Sequence, residues 1–393
     1  MLNYFFKFKS FLHLLNAIKI NWKPPKQSDV LIFDATSQEY LMEYLSPWKP
    51  EVLHVRREQV NILVLISSIF RRGRMNIVYV DCYIKKGRPR LIITFIDNNK
   101  SFYKISRRHP EIKTLFVQNG FRSYYHDVFE LLDKSTLNER NQFHVDYMMT
   151  LGSGFSKEYS RYISGSEVQM GSLKSNSLKK TKSKKIGIIS FVSQWYEGGV
   201  YIDEVFYSHT DYSQQVDQLV ISCLAKYAKS NNKRLLIIPR KSKSENLRTR
   251  EELYFQGLLE DEVEYLEPSG NLTSYQATDI SEVVVTIDST LGYESLARGN
   301  KTAFFSIRSN ILDIPGFSYG WPKKFPDEGL FWTNISNNNS FFRILDYLFS
   351  VNDTQWREDI FESGFSSVMT CDPGNVIFKS IIEKELGSPP ISA

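Results

Sequence analysis

The stretch Thr286-Ile-Asp-Ser-Thr-Leu-Gly-Tyr-Glu-Ser-Leu-Ala-Arg-Gly299 decides how this chain is read. It begins inside the apolar run Glu282–Asp288 (EVVVTID), which has the length and β-branched content of a buried strand. Asp288-Ser289-Thr290 then opens a helix, and Gly299 closes it as an ordinary C-cap. The first turn of a helix leaves backbone N–H groups without partners and carries the positive end of the helix dipole, so a strand running into such a start is a ready seat for a phosphate. Ser289 and Thr290 add two hydroxyl donors, and Glu294, one turn in, stands where the ribose hydroxyls of a nucleotide could donate to it. The competing reading is a capped helix start that holds no ligand.

The same strand–helix alternation extends in both directions. In the second half, strands are expected at Ile186–Ser193, Arg234–Arg240, Val263–Glu267 and Thr302–Ile307, with helices over about 212–229, 245–257 and 290–298. The first half repeats the pattern with Asp29–Asp34, Glu51–Arg56, Arg90–Asp97, Thr114–Gly120, Asp146–Gly152 and Glu167–Gly171. Short apolar strands separated by helix-length connections build parallel βαβ units. The expected fold class is therefore α/β, with two Rossmann-like domains whose parallel sheets face a central cleft. Residues 173–185 (LKSNSLKKTKSKK) carry six lysines and read as a solvated, extended linker, or secondarily as a basic lip beside an anionic-ligand cleft. The expected organisation is 1–172 as a first Rossmann-like domain, 173–185 as linker, 186–340 as a second Rossmann-like domain, and 341–393 as helices packing back across both.

Composition excludes several other classes. The 393 residues carry 49 Lys+Arg against 44 Asp+Glu, a net charge of +5 that is too mild for a nucleic-acid-binding domain. Three cysteines (Cys82, Cys223, Cys371) lie far apart with no C-x-x-C, and the six histidines show no metal-ligand spacing. No metal is expected. No apolar run approaches the roughly 20 residues of a membrane-spanning helix. Residues 1–20 place Phe5, Phe8, Phe11, Leu12, Leu15 and Ile18 at helical spacing with the charges opposite. This segment is either a first helix docked on its domain or a basic amphipathic helix at an anionic membrane surface, which would make a cytoplasmic protein peripheral at the inner face of the cytoplasmic membrane.

Ligands of open parallel sheets bind outside the carboxyl ends of the strands, and those ends are polar throughout. The first half offers Asp34, Arg56-Arg57-Glu58, Asp97-Asn98-Asn99, Gln118-Asn119-Gly120 with Arg122 beyond, Gly152-Ser153 and Gly171-Ser172. The second offers Ser193, Arg240-Lys241 and Glu267 beside the Asp288-Ser289-Thr290 start. Arg240 and Lys241 would meet the charge of a leaving phosphate. Asp97 is the preferred carboxylate for activating an acceptor hydroxyl, with Glu58 and Asp34 behind it, and the choice between base and nucleophile stays open. Arg56, Asn98, Gln118, Asn119, Arg122, Ser153 and Ser172 would then line the acceptor. Trp195, Tyr196, Tyr201 and Trp321 are core residues or the lining of a sugar pocket. The chain contains no P-loop, no G-x-S-x-G elbow and no Asp-x-Asp, and Gly152-Ser-Gly154 lacks the third glycine of a dinucleotide fingerprint.

Four of these stretches carry a resemblance. Asp288-Ser-Thr-x-x-x-Glu294-(x)4-Gly299 resembles the donor-nucleotide motif of bacterial surface-polysaccharide transferases of the GT-B type. Non-hydrolysing UDP-GlcNAc 2-epimerases and CDP-glycerol glycerophosphotransferases share a similar stretch. Thr94-Phe-Ile-Asp-Asn98, Val117-Gln-Asn-Gly-Phe-Arg122 and Met170-Gly-Ser-Leu-Lys-Ser-Asn176 are similar to an O-antigen biosynthesis family of lipopolysaccharide and capsule clusters, related to the β-Kdo transferases. The resemblance implies a glycosyltransferase moving a sugar, with Kdo or another ulosonic acid among the candidates, from a nucleotide-activated donor such as CMP-Kdo to a lipid-linked or oligosaccharide acceptor. Its alternatives are a CDP-glycerol-like polyol-phosphate transferase and a catalytically silent GT-B-fold partner in polysaccharide assembly. The chain departs from related families at Gln118-Asn119-Gly120, where they often carry Gln-His-Gly, and at Pro239-Arg240-Lys241, where they often carry Arg-x-His-Pro; the identity of the nucleotide is left open.

Overall fold

The computed structural model describes residues 19–389 apart from 57, 126, 182–183, 196, 203–204, 241–245, 260–262 and 267–272. The amphipathic segment 1–18 lies outside the described residues, as do Lys241 and Glu267. The first half contributes β1 (Lys19–Asn21), β2 (Val30–Phe33), β3 (Glu51–Leu53), β4 (Gln59–Asn61), β5 (Leu91–Thr94), β6 (Lys113–Val117), β7 (His144–Thr150) and β8 (Ser164–Gln169). The second contributes β9 (Lys185–Val192), β10 (Gly199–Ile202), β11 (Val205–Ser208), β12 (Arg234–Ile238), β13 (Glu264–Tyr265), β14 (Ser281–Thr286), β15 (Thr302–Phe305) and β16 (Trp332–Thr333).

Two six-stranded parallel sheets result, ordered β3-β2-β5-β6-β7-β8 and β13-β12-β9-β14-β15-β16. Strands Val30–Phe33 and Leu91–Thr94 are buried along their whole length, as parallel strands covered on both faces must be. The period of two divides their side chains. Val30, Ile32, Leu91 and Ile93 meet Leu41, Phe378 and Ile382 on one face, whereas Leu31, Phe33 and Ile92 join the larger core with Tyr79 and Tyr83 on the other. Because Phe378 and Ile382 belong to the helix Val376–Leu386, the end of the chain packs on the first sheet.

The strand order places one switch point in each sheet, where consecutive connections leave in opposite directions. In the first sheet it falls between β2 and β5, and in the second between β9 and β14. A crevice forms at such a point because the loops on its two sides diverge.

Several elements differ from the sequence expectation. The strands β1, β4, β10, β11 and β16 are too short or too polar to stand out by alternation, and the helix Ser274–Ile280 is marked chiefly by its Thr273–Gln276 capping box. The basic segment is not an extended tether at its start. Leu173–Ser177 is helical, Leu173, Ser175 and Asn176 are buried, and Arg298 Nη1 donates to the carbonyls of Ser175 and Leu178 at 2.8 and 3.0 Å. Lysine repulsion is overridden there by carbonyls docking on a buried guanidinium. Among the described residues no helix is long and apolar enough to cross a membrane.

Candidate functional site

At the β9–β14 switch point lies a cavity of about 490 Å³. Val192, Ser193 and Gln194 enter it from the end of β9, Pro239 and Arg240 from the end of β12, and Asp288-Ser289-Thr290 from the end of β14. The first half reaches in with Phe121, Arg122 and Ser123, and the loop 316–321 adds Phe317 and Trp321. Sequence positions more than 160 residues apart thus share one wall: Phe121 N–H donates to Thr290 Oγ1 at 3.3 Å, and the Phe121 ring stacks on Tyr293 with centroids 4.1 Å apart.

The helix Thr290–Ala297 starts at this cavity. Ser289 is its N-cap, with its hydroxyl accepting from Leu291 N–H at 3.3 Å. Gly292 allows the helix to lie directly on β14, since a Cβ there would stand 2.3 Å from Thr286 Cγ2. Asp288 is held by both Arg308 and Gln194: Arg308 Nη1 donates to its two oxygens at 2.8 and 2.9 Å, and Gln194 Nε2 donates at 2.6 Å. Arg308 in turn lies beneath the Phe317 ring, 5.5 Å from its centroid. Arg240 Nη1 donates to the Gln194 carbonyl at 3.2 Å, and its backbone N–H donates to the buried Glu251, which also accepts from the Ser193 hydroxyl. Ser213 lines the same cavity, fully buried, with a hydroxyl that has no hydrogen-bond partner. Among the described residues, the lining holds three arginines (Arg122, Arg240, Arg308) against one carboxylate, Asp288. Rigidly held guanidinium groups beside a helix start suit a diphosphate or phosphate monoester.

Of the residues singled out from the sequence, Ser193, Arg240, Asp288, Ser289, Thr290 and Arg122 meet in this cavity. The other expected residues stand elsewhere. Asp97 does not present its carboxylate to a ligand. It is fully buried, and accepts from Arg122 Nε at 2.7 Å, from Arg122 Nη2, from Tyr159 OH and from Asn119 N–H at 3.3 Å. These contacts hold the Arg122 guanidinium in place. Glu294 does not line the cavity but is buried between the halves, accepting from the Ser172 hydroxyl and from Tyr275 OH at 3.3 Å. Burial pushes its carboxyl up to about 7, against the Ser172 hydrogen bond and the nearby Lys174 charge. Ser172 is therefore spent on Glu294 rather than on an acceptor. Gln118 is likewise internal, donating to the Gly120 carbonyl at 2.8 Å and accepting from Leu151 N–H at 3.1 Å, while Asn119 accepts from Arg122. Ser153, in the first turn of the helix Ser153–Ser160, lines neither cavity; the glycines on both sides of it lie against Ser367 and Val368.

Asp34, Arg56 and Asn98 come together elsewhere, in a second cavity of about 630 Å³ at the β2–β5 switch point. Arg56 Nε donates to the buried Asp34 at 2.8 Å, and the other Asp34 oxygen accepts from Thr36 N–H at 3.0 Å. Glu58 flanks this group with its side chain 40% exposed, 3.9 Å from His54 Nδ1. Sequence reasoning missed Arg308, Gln194 and Ser213. Arg308 had a signal, because it stands one residue beyond the run Thr302–Ile307 and is therefore a strand-end cation. Ser213 had none. Trp321 lines the first cavity, whereas Trp195 is core.

Comparison with known proteins adds a family and a fold. Residues 115–386, more than half of the chain, match the model of a family described as "putative O-antigen biosynthesis protein". None of the curated proteins matches the sequence. Among solved structures, a variant of the wall teichoic acid polymerase TagF is similar with a TM-score of 0.51 at 13% identity, over 98% of each chain. TagF itself gives 0.50 at 12% identity, again over 98% of each chain. The UDP-GlcNAc 2-epimerase of Methanocaldococcus jannaschii gives 0.49 at 9% identity, covering 93% of this chain and 99% of its own. At such identities the likeness concerns the fold, two Rossmann-like sheets in the GT-B arrangement.

Proposed function

This chain belongs to the O-antigen biosynthesis family of GT-B fold, and on that premise we propose that it is a glycosyltransferase of surface-polysaccharide assembly that uses a nucleotide-activated sugar. The observation carrying the proposal is the cavity at the β9–β14 switch point, where Arg240, Arg308 and the helix start at Ser289-Thr290 converge on a space of about 490 Å³.

Transfer requires the departing nucleotide to be stabilised, and the cations supply this. Arg308 is fixed by Asp288, Arg122 by Asp97 and Arg240 by the Gln194 carbonyl, so none must reorganise as charge builds on the phosphate. Donors held in place in this way contribute several kcal/mol to the barrier reduction. The aromatic loop carrying Phe317 and Trp321 covers the pocket and would shield the anomeric carbon from water. With Asp97 committed to Arg122, activation of the acceptor hydroxyl passes to the first-half carboxylates Asp34 and Glu58. Glu58, the more exposed and the one beside His54, is the better proton acceptor, or the nucleophile in a double displacement. The sugar is a hexose or an ulosonic acid of the Kdo type, the latter delivered as its CMP derivative, and the acceptor is a glycan or lipid-linked glycan. The cations and the helix start supply the leaving-group charge without requiring a metal.

Thermal-shift titration with CMP, CDP, UDP and GDP tests the reading, because a ligand that binds only the native state raises its stability. One of the four is expected to stabilise the protein, and Arg240→Ala is expected to diminish the shift. Absence of any shift with all four would refute the donor site.

A further inference from the structure

The second cavity has a chemistry of its own. Among the described residues, Arg56, Arg74, Lys100, Lys104 and Arg108 line it, against one carboxylate, Asp34. Most of these cations are partly committed: Arg56 to Asp34, Arg108 to Asp81 at 2.9 Å, Lys104 to Glu139 at 3.1 Å, and Lys100 to Ser135 Oγ at 3.0 Å. Arg74 is different: its carbonyl accepts from Val78 N–H at 3.0 Å, but among the described residues its guanidinium makes no hydrogen bond or ion pair. His54, also in the lining, has a buried Nδ1 with no hydrogen-bond partner. An excess of cations around a β-sheet switch point, with one guanidinium unspent, calls for an anion.

The segment between two residues of this lining, Val60 and Arg74, carries a second feature. The helix Ile62–Ile69 connects two lining residues, Val60 and Arg74, and buries Ile62, Val64 and Leu65. Its other face exposes Leu63 and Ile66, and Phe70 follows at 81% exposed. Spacings of three and seven residues put these side chains in one row. The parallel pairing of β1 with β4 sets Trp22, 70% exposed, beside the start of the same helix. An apolar row followed in sequence by Arg71-Arg72-Gly73-Arg74, the last of which lines the cationic cavity, matches a ligand with a charged head and an apolar body.

We propose that the second cavity binds the phosphate head of an amphiphile, with Arg56, Arg74 and Lys100 on the phosphate and the apolar chain lying along Leu63, Ile66 and Phe70. The identification of this amphiphile as the acceptor rests on the glycosyl-transfer reading; the binding itself does not. Calorimetric titration of the full chain with dodecyl phosphate, inorganic phosphate and dodecanol separates the contributions. Dodecyl phosphate is expected to bind about tenfold or more tighter than inorganic phosphate, with dodecanol weakest. Arg74→Ala should weaken dodecyl phosphate about fivefold. Phe70→Ser should weaken dodecyl phosphate while leaving inorganic phosphate unchanged. Equal affinity for dodecyl and inorganic phosphate would mean a site for free phosphate and overturn the amphiphile. Tight dodecanol binding, or indifference to Arg74→Ala, would overturn the head-group assignment. If Phe70→Ser only converts a dimer into a monomer, the row is a contact between two copies and the inference falls. The nucleotide titration on the same protein keeps the two readings apart: a nucleotide shift without dodecyl phosphate binding defeats this inference alone, and the reverse result defeats the donor site alone.

Discussion

Arg122 and Asp97 form a two-pronged ion pair, with Nε 2.7 Å from Oδ2, and Arg122 lines the first cavity. The residues on either side of Asp97 in sequence, Ile96 and Asn98, line the second cavity.

Removing the nearer negative partner leaves the buried guanidinium with Asp127 alone, 3.7 Å away, a change that costs up to about 3–5 kcal/mol. Asp97→Asn is therefore expected to lower the unfolding free energy by that amount, measured by denaturant titration. A variant of wild-type stability that has lost only turnover would mean that Asp97 acts in the chemistry after all.

Glu294 predicts a pH dependence. Its carboxyl is raised by burial from 4.5 to about 7 in the folded state. Below 4.5 it is protonated in both states. Between 4.5 and 7 the unfolded chain loses the proton and the folded chain keeps it, so stability falls as pH rises and levels off above 7. The total loss from this group is roughly 3 kcal/mol. Glu294→Gln should flatten that part of the pH profile and raise the melting temperature at pH 8 relative to wild type. An unchanged profile would place the Glu294 carboxyl outside the buried pair it makes with Ser172.

The small residue at 292 is a packing requirement. A Cβ there would meet Thr286 Cγ2 at 2.3 Å and Cβ at 2.9 Å, so Gly292→Ala must push the helix Thr290–Ala297 off β14. Overpacking of this kind costs about 1–3 kcal/mol. Because Ser289 and Thr290 ride on that helix, nucleotide affinity should fall together with stability. Thr286→Ala in the same chain should restore both in part, and no rescue would show that the contact is not the cause.

These contrasts explain how far the sequence could be read. Uniformly apolar stretches such as Val30–Phe33 and Leu91–Thr94 announce strands buried on both faces, and the cavity residues at 193, 240 and 288–290 follow from the rule that ligands gather at strand ends. Asp97 obeys the same rule and still turned out to be internal. A carboxylate after a strand looks identical whether it meets a ligand or an arginine 25 residues later, and only the adjacency of β5 and β6 brings Arg122 onto it. Glu294 and Ser172 are 122 positions apart, and their contact depends on how the two sheets sit together, which no local pattern encodes. The helical start of the lysine-rich segment was hidden for a related reason, since its carbonyls dock on the distant Arg298.

Arg308 gives the most direct check on the donor site. Asp288 grips it through both oxygens and Phe317 covers its plane, so its orientation is fixed before any ligand arrives. Arg308→Ala would remove one cation and also free the Asp288 charge to repel a phosphate. The two effects add, and nucleotide affinity should drop by more than about tenfold. Arg308→Lys keeps the charge, but an ammonium cannot reproduce the planar fork or stack under Phe317, so it should recover only part of the loss. The double variant Asp288→Asn with Arg308→Ala removes the repulsion and should bind better than Arg308→Ala alone. Calorimetric Kd values for the three variants decide the matter: if Arg308→Ala binds nucleotide as wild type does, the cavity at the β9–β14 switch point is not where the donor sits.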